Sequence, residues 1–163
     1  MSPKSKIDGV AIKALKVYQD KPDLKQKVKP GIFIEILRDD DKILTHFGQS
    51  NFTIAHKGTI KAFHYHRYQD DFWFLASGRA AIVLYDSRKK SKTFGKTEII
   101  YGGADDYKLI SIPRGIVHGY KVLSKEPCLL FYHVTKAYNR KKPDEMRIDP
   151  FDKTIGINWS KIN

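Results

Sequence analysis

The chain of 163 residues contains a single cysteine, Cys128, so it cannot form an internal disulfide, and a cysteine-based zinc site is excluded. No apolar run approaches the roughly 18 residues that cross a membrane as a helix. The opening stretch, MSPKSKIDG, lacks the apolar segment of a secretory signal, and a cytoplasmic protein is expected. Acidic residues are few: 18 Asp and Glu stand against 30 Lys and Arg, a formal charge of +12. Helical periodicity is scarce, and there is no internal repeat or low-complexity segment. The glycines around Phe94–Gly103 lack the spacing and the Lys-Ser/Thr of a phosphate loop. Nothing resembles a helix-turn-helix, a zinc finger or an RNA-binding signature, so no nucleic-acid partner is expected, and no membrane.

What is present is globular composition, with 41% hydrophobic and 29% charged residues, and a length suited to one domain. That domain is expected to span 1–163, with a loose N-terminus over 1–9 and a C-terminal wrap over 139–163. The positive charge has two readings: an anionic partner such as a phosphate-bearing small molecule, or a solvated lysine-rich surface. The longest basic runs are only three residues, Arg88-Lys89-Lys90 and Arg140-Lys141-Lys142.

Short β-rich runs separated by turn residues dominate. Strands are predicted over Val10–Tyr18, Gly31–Arg38, Ile43–Phe47, Phe52–His56, Thr59–His66, Phe72–Ser77, Ala80–Asp86, Thr97–Tyr101, Lys108–Ile112, Val117–Leu123 and Cys128–Thr135. Asp39-Asp40-Asp41, Lys57-Gly58, Ser77-Gly78, Gly102-Gly103 and Pro113-Arg114-Gly115 punctuate them. Many short strands at this spacing predict an all-β jelly roll, whose barrel can hold one small ligand.

The segment Gly58–Asp71 carries the chemistry. Side chains alternate along a strand, so Ala62, His64 and His66 are expected on one face and Lys61, Phe63 and Tyr65 on the other. Asp71 opens the next strand, and His118 follows the turn at Pro113–Gly115. Three imidazoles and a carboxylate suit a divalent metal. They equally suit acid–base work, since an ordinary histidine titrates near pH 6.5. Phe63, Tyr65, Phe72, Trp73 and Phe74 read as core, interface or a sugar-stacking surface. Asp144, Glu145 and Asp149, in a polar tail, read as a solvated face. Cys128, before Leu129-Leu130-Phe131, reads as a small buried hydrophobe.

The spacing of Gly58, His64, His66, Asp71 and Gly78, with Pro113, Gly115 and His118, resembles the two motifs of the cupin superfamily. Asp71 stands where Glu is usual, and Tyr107 where a glycine is. The resemblance implies a double-stranded β-helix barrel. The flanking segments narrow it: Gly31-Ile-Phe-Ile-Glu35, Lys61-Ala-Phe-His64, Asp86-Ser-Arg88, Thr93-Phe-Gly95, Ile112 to Tyr120, Phe131-Tyr132, Thr135, Tyr138 and Ile155-Gly-Ile-Asn-Trp159. In order and spacing, from Pro30 to Trp159, they resemble the dTDP-4-dehydrorhamnose 3,5-epimerase family.

That resemblance implies an isomerase without a cofactor, acting on a nucleotide-linked 4-keto-6-deoxy sugar. C3 and C5 flank the carbonyl, so their protons are acidified. By family position His64 is the base and Tyr132 the acid on the opposite face. Lys61, His118, Gln49, Asn51, Glu35 and Tyr138 fall at substrate-binding positions, and a homodimer is implied, with Val10–Tyr18 a candidate to pair with the partner's sheet. The family's enolate-stabilising lysine aligns with Asp71, and His66 replaces a glutamine. Three rebuilt sites are consistent with this: His66 replacing the lysine with Asp71 orienting His64; a metal on His64, His66, Asp71 and His118; or a 3,4-ketoisomerase. A non-catalytic nucleotide-sugar-binding module is the remaining alternative.

Overall fold

The computed structural model describes residues 4–21 and 28–163. Among these described residues twelve strands follow one another: β1 (Ala11–Ala14), β2 (Val17–Gln19), β3 (Ile32–Ile34), β4 (Gln49–Ala55), β5 (Ile60–Tyr65), β6 (Asp71–Ser77), β7 (Arg79–Asp86), β8 (Thr97–Gly103), β9 (Lys108–Ile112), β10 (Ile116–Val122), β11 (Cys128–Val134) and β12 (Met146–Arg147). They form two five-stranded antiparallel sheets, β1-β9-β6-β11-β4 and β12-β5-β10-β7-β8, and a two-stranded ribbon, β2-β3. The predicted jelly roll is therefore observed.

The main core lies between the sheets. Trp73, Leu75 and Leu130 of the first pack with Ile82, Leu84, Tyr120 and Val122 of the second. A second apolar layer explains why β7 reads as the unbroken run Ala80–Leu84. Its other face, with Phe63 and Val117, is covered by Ile155, Trp159 and Ile162 of the tail. Each such buried side chain stabilises the fold by about 1.5–3 kcal/mol. Two short 3₁₀ turns, Lys153–Ile155 and Trp159–Lys161, are capped by Asp152 and Asn158 and aim these residues inward.

Four sequence expectations need correction. Val10–Tyr18 is not one strand: β1 pairs with β9 of its own sheet, and β2 pairs with β3. The segment offered to a partner copy is thus partly used within the chain. Ile43–Phe47 forms no strand, because Ile43 and Leu44 instead cover Phe72, Phe74 and Leu109 on the outside of the first sheet. Of the N-terminus expected to be loose, residues 1–3 lie outside the described residues. Ile7, however, is buried, and the Ser5 hydroxyl donates to Glu98 at 2.6 Å.

Finally, strict alternation fails on β5. His118 pairs with His64, but Tyr120 pairs with Lys61, so β5 carries one extra residue there. Such a bulge re-aims side chains. Ala62 packs with Phe63 on the outer layer, and Lys61 joins His64 on the inner wall. Gly119 makes this possible, since a Cβ built on it would lie 2.5 Å from the Ala62 Cβ and 2.8 Å from the Lys61 carbonyl oxygen.

Candidate active site

β4 announces a cavity by inverted patterning. Its inward side chains are Gln49, Asn51 and Thr53, while Phe52 and Ile54 face out. Polar groups turned inward mean that the interior at this end is not packed shut. A cavity of about 810 Å³ opens there, enough for a nucleotide sugar. β5 supplies Lys61 and His64, with His66 one residue past it; the facing sheet supplies Asp71 and Trp73 from β6 and Tyr132 from the adjacent β11.

The histidines cluster tightly. The His64 and His118 ring centroids lie 4.2 Å apart, His64 and His66 5.1 Å, and His66 and His118 5.6 Å. One ligand atom from each of His64, His66, Asp71 and His118 falls within 4.8 Å of all the others. His118 Nδ1–H donates to the Ile116 carbonyl at 2.9 Å, and His66 Nδ1–H donates to the Asp144 carbonyl. Asp71 accepts from Gln69 Nε2 at 2.8 Å and from Trp73 Nε1 at 3.2 Å. Its oxygens lie 3.7 Å from His66 Nε2 and 3.7 Å from His118 Nε2. No hydrogen bond joins Asp71 to His64 among the described residues, so the expected orienting role of Asp71 on that ring is not observed.

Burial, then the neighbouring His118 and His66, pushes the His64 pKa down to about 3. Burial first, and then His66, brings His118 to about 3 as well. Both rings are held neutral at pH 7. Burial raises the Tyr132 phenol, which keeps its proton. A stability consequence follows. Below pH 6.5 the unfolded chain binds protons on both histidines while the folded chain does not. Stability therefore falls with pH between about 6.5 and 3, by up to about 1.4 kcal/mol per pH unit for each ring. Thermal melts from pH 7 to pH 4 in a chelator should show this decline, flattened in His118→Asn.

The structure gathers most of the residues expected at the site, and not all. His64, His66, Asp71, Tyr132, Lys61, Gln49, Asn51 and Tyr138 line the cavity. Lys61 Nζ crosses to Thr53 Oγ1 at 2.7 Å, linking the two sheets at the cavity wall. The Gln49 side-chain oxygen accepts from Tyr138 N–H at 2.9 Å, holding that exposed aromatic at the mouth. His118 does not line the cavity. It is 1% exposed, with its ring centroid 4.2 Å from that of His64, so it does not reach the cavity as the expected sugar contact would require. Glu35 lies outside, paired with Arg38 at 2.6 Å. Of the aromatic run, only Trp73 reaches the cavity; Phe63, Tyr65, Phe72 and Phe74 pack on outer faces.

Sequence reasoning missed Arg67, Lys136 and Lys142, which add three cations to Lys61 on the lining. It also misread Asp144. That carboxylate accepts from the Arg67 and Tyr68 backbone N–H groups at 2.9 and 2.8 Å, pinning the tail over His66. The only local clues were Arg67 beside the His-x-His pair and the run Arg140–Lys142. Cys128 is buried, and its thiol is pushed up to about 11 by burial, which makes it unreactive.

A family model described as dTDP-4-dehydrorhamnose 3,5-epimerase matches residues 4–163. The chain belongs to this family. It is 46% identical over 154 residues to a spore coat polysaccharide biosynthesis protein of Bacillus subtilis, covering 94% of this chain and 97% of that one. It is 32% identical over 124 residues to a probable low-salt glycan biosynthesis epimerase of Haloferax volcanii, covering 75% and 79%. Among solved structures, a dTDP-6-deoxy-D-glucose-3,5-epimerase of Legionella pneumophila, crystallised with dTDP-4-keto-L-rhamnose, superposes with a TM-score of 0.81 at 26% identity, covering 98% and 82%. In this epimerase-family chain the histidine of β5 and the tyrosine of β11 stand on facing sheets, with the cations grouped around one opening. No helix among the described residues is long and apolar enough to cross a membrane.

Proposed function

We propose that the protein is an isomerase that inverts C3, C5 or both of a nucleoside-diphosphate-linked 4-keto-6-deoxy sugar. One observation carries this: the His64 imidazole and the Tyr132 phenol line one cavity from opposite sheets, in a chain of this family. Inversion needs a base below the sugar plane and a proton donor above it, and two facing sheets supply both sides. His64 removes the proton next to the carbonyl, and Tyr132 delivers one to the other face. Lys61, Arg67, Lys136 and Lys142 supply positive charge for a pyrophosphate. Tyr138 and Tyr68 offer exposed rings at the mouth for a base to stack on. Gln49 and Asn51 offer the polar groups beside them. A homodimer belongs to the same reading, on the strength of the family, and light scattering at two chain masses checks it.

The decisive experiment incubates the protein with dTDP-4-keto-6-deoxyglucose in D2O and follows the sugar by NMR. Deuterium is expected at C3, C5 or both, with inversion at the labelled carbon. Binding of the nucleotide sugar with no deuterium at either carbon would remove the enzymatic reading and leave a binding module.

A further inference from the structure

Removing a proton next to the sugar carbonyl leaves an enolate, whose negative charge gathers on the C4 oxygen and needs a hydrogen-bond donor there. The polar groups near His64 and Tyr132 are mostly engaged elsewhere. The Asp71 carboxylate accepts hydrogen bonds and repels an anion. Gln69 Nε2 and Trp73 Nε1 already donate to Asp71, at 2.8 and 3.2 Å. His66 gives its Nδ1–H to the Asp144 carbonyl, and its Nε2 lies 3.7 Å from an Asp71 oxygen, so the donor role expected of His66 is not observed. Among the described residues, two buried side-chain polar atoms lack any hydrogen-bond partner: His118 Nε2 and the Tyr120 phenol oxygen. The first is a lone pair, because the neutral ring carries its proton on Nδ1 and donates it to the Ile116 carbonyl. The second carries an O–H with no acceptor.

Tyr120 is 3% exposed, and its side chain borders the cavity. On β10 it stands two residues past His118, on the same face. His118 is paired with His64 of β5, and Tyr120 with Lys61. The Tyr120 ring meets Trp73 edge-on with centroids 5.8 Å apart, and Trp73 lies 6.4 Å from the Tyr132 ring. The phenol thus sits between the strand that carries the base and the sheet that carries the acid. Thr53 is next to it without hydrogen-bond geometry, its hydroxyl accepting from Lys61 at 2.7 Å. A buried hydroxyl with no partner is costly, and phenylalanine would fill the same space without that cost. We propose that the Tyr120 hydroxyl donates a hydrogen bond to the C4 oxygen of the sugar and holds the enolate formed there. His64 takes the C–H proton and becomes an imidazolium, and the electron pair of that bond moves to the C4 oxygen. Tyr120 keeps its own proton throughout. When Tyr132 protonates the carbon, the pair returns, the carbonyl re-forms and Tyr132 is left as a phenolate. Solvent then returns a proton to Tyr132 and takes one from His64. Burial, and then the nearby Cys128 thiol, push the Tyr120 pKa up to about 12, so it donates without ionising. C3 and C5 share one carbonyl, so this donor serves inversion at either carbon. The inference rests on the proposed epimerisation.

The test is Tyr120→Phe in the full chain, with dTDP-4-keto-6-deoxyglucose in D2O. The kcat for deuterium exchange should fall by about 10²–10³-fold, the worth of one oxyanion donor, with KM kept within about threefold. Where the wild type labels both C3 and C5, the two should fall by the same factor. The melting temperature should equal or exceed that of the wild type, because only an unpartnered buried hydroxyl is removed. A merely structural role would instead lower the melting temperature and leave kcat unchanged. A second measurement reads the contact without turnover. Sugar carrying 13C at C4 is bound to His64→Ala, and to the same protein with Tyr120→Phe added. The carbonyl resonance should lie downfield in the first, from the hydrogen bond it accepts, and move back toward its free position in the second. Unchanged kcat in Tyr120→Phe, a loss confined to KM, or one carbonyl resonance common to both His64→Ala proteins would overturn the proposal. A wild type without exchange defeats the isomerase reading, and the carbonyl resonance then decides by itself whether Tyr120 meets that oxygen.

Discussion

His64→Ala should lower both deuterium exchange and net inversion by about 10²–10⁴-fold, the usual worth of a positioned acid or base. Tyr132→Phe should behave differently. Exchange requires only that His64 remove a proton and return a deuteron from solvent to the same face. Inversion requires delivery to the opposite face, where Tyr132 stands on β11. The phenylalanine variant is therefore expected to keep measurable exchange with retention while losing inversion by a similar factor. NMR of the sugar in D2O separates the two, because label and configuration are read from the same spectrum. Equal loss of exchange and inversion in both variants would mean that the two residues do not divide the faces as drawn. Both substitutions only remove atoms bordering an open cavity, so the fold should survive; far-ultraviolet circular dichroism checks that.

Gly119→Ala should damage both the fold and the site. The new methyl would meet Ala62 Cβ at 2.5 Å, Ala62 Cα at 2.7 Å and the Lys61 carbonyl oxygen at 2.8 Å. These atoms are backbone or fixed to it, so no rotamer change relieves the contact. Overpacking of this kind costs about 1–3 kcal/mol. In a chain of this size that lowers the melting temperature by about 3–10 °C. β5 must also move away from β10, taking Lys61 and His64 with it. A displacement near 1 Å at a reacting group costs about 100-fold in rate. Gly102→Ala is the control. Its methyl would meet Leu75 Cδ1 at 3.7 Å and the Asp106 carbonyl oxygen at 4.0 Å, both ordinary contacts, so stability and exchange should be near wild type. Equal effects from the two substitutions would show that the bulge is not what matters.

β-rich runs and turn residues were enough to locate β5, β6, β7, β10 and β11, because each is an apolar stretch with a Gly or Pro break beside it. They failed for Ile43–Phe47, where apolar residues cover a sheet without joining one. They also could not divide Val10–Tyr18 into β1 and β2, since the break depends on which neighbour each half meets.

What the amino-acid order determined by itself is the architecture and the shared face of His64 and His66. That His118 joins the cluster is what the resemblance to the cupin motifs implies. The shared face is a local consequence of side-chain alternation, and the strand breaks are consequences of turn chemistry. Tertiary structure alone decided the rest. Lys61 faces inward because a bulge opposite Gly119 adds a residue to β5. The tautomer of His66 is set by Asp144, 78 residues away, and the carboxylate of Asp71 by the way β6 turns toward β5 and β10. The physical reason is that protonation and hydrogen-bond direction depend on contacts between elements, and such contacts leave no periodic trace along the chain.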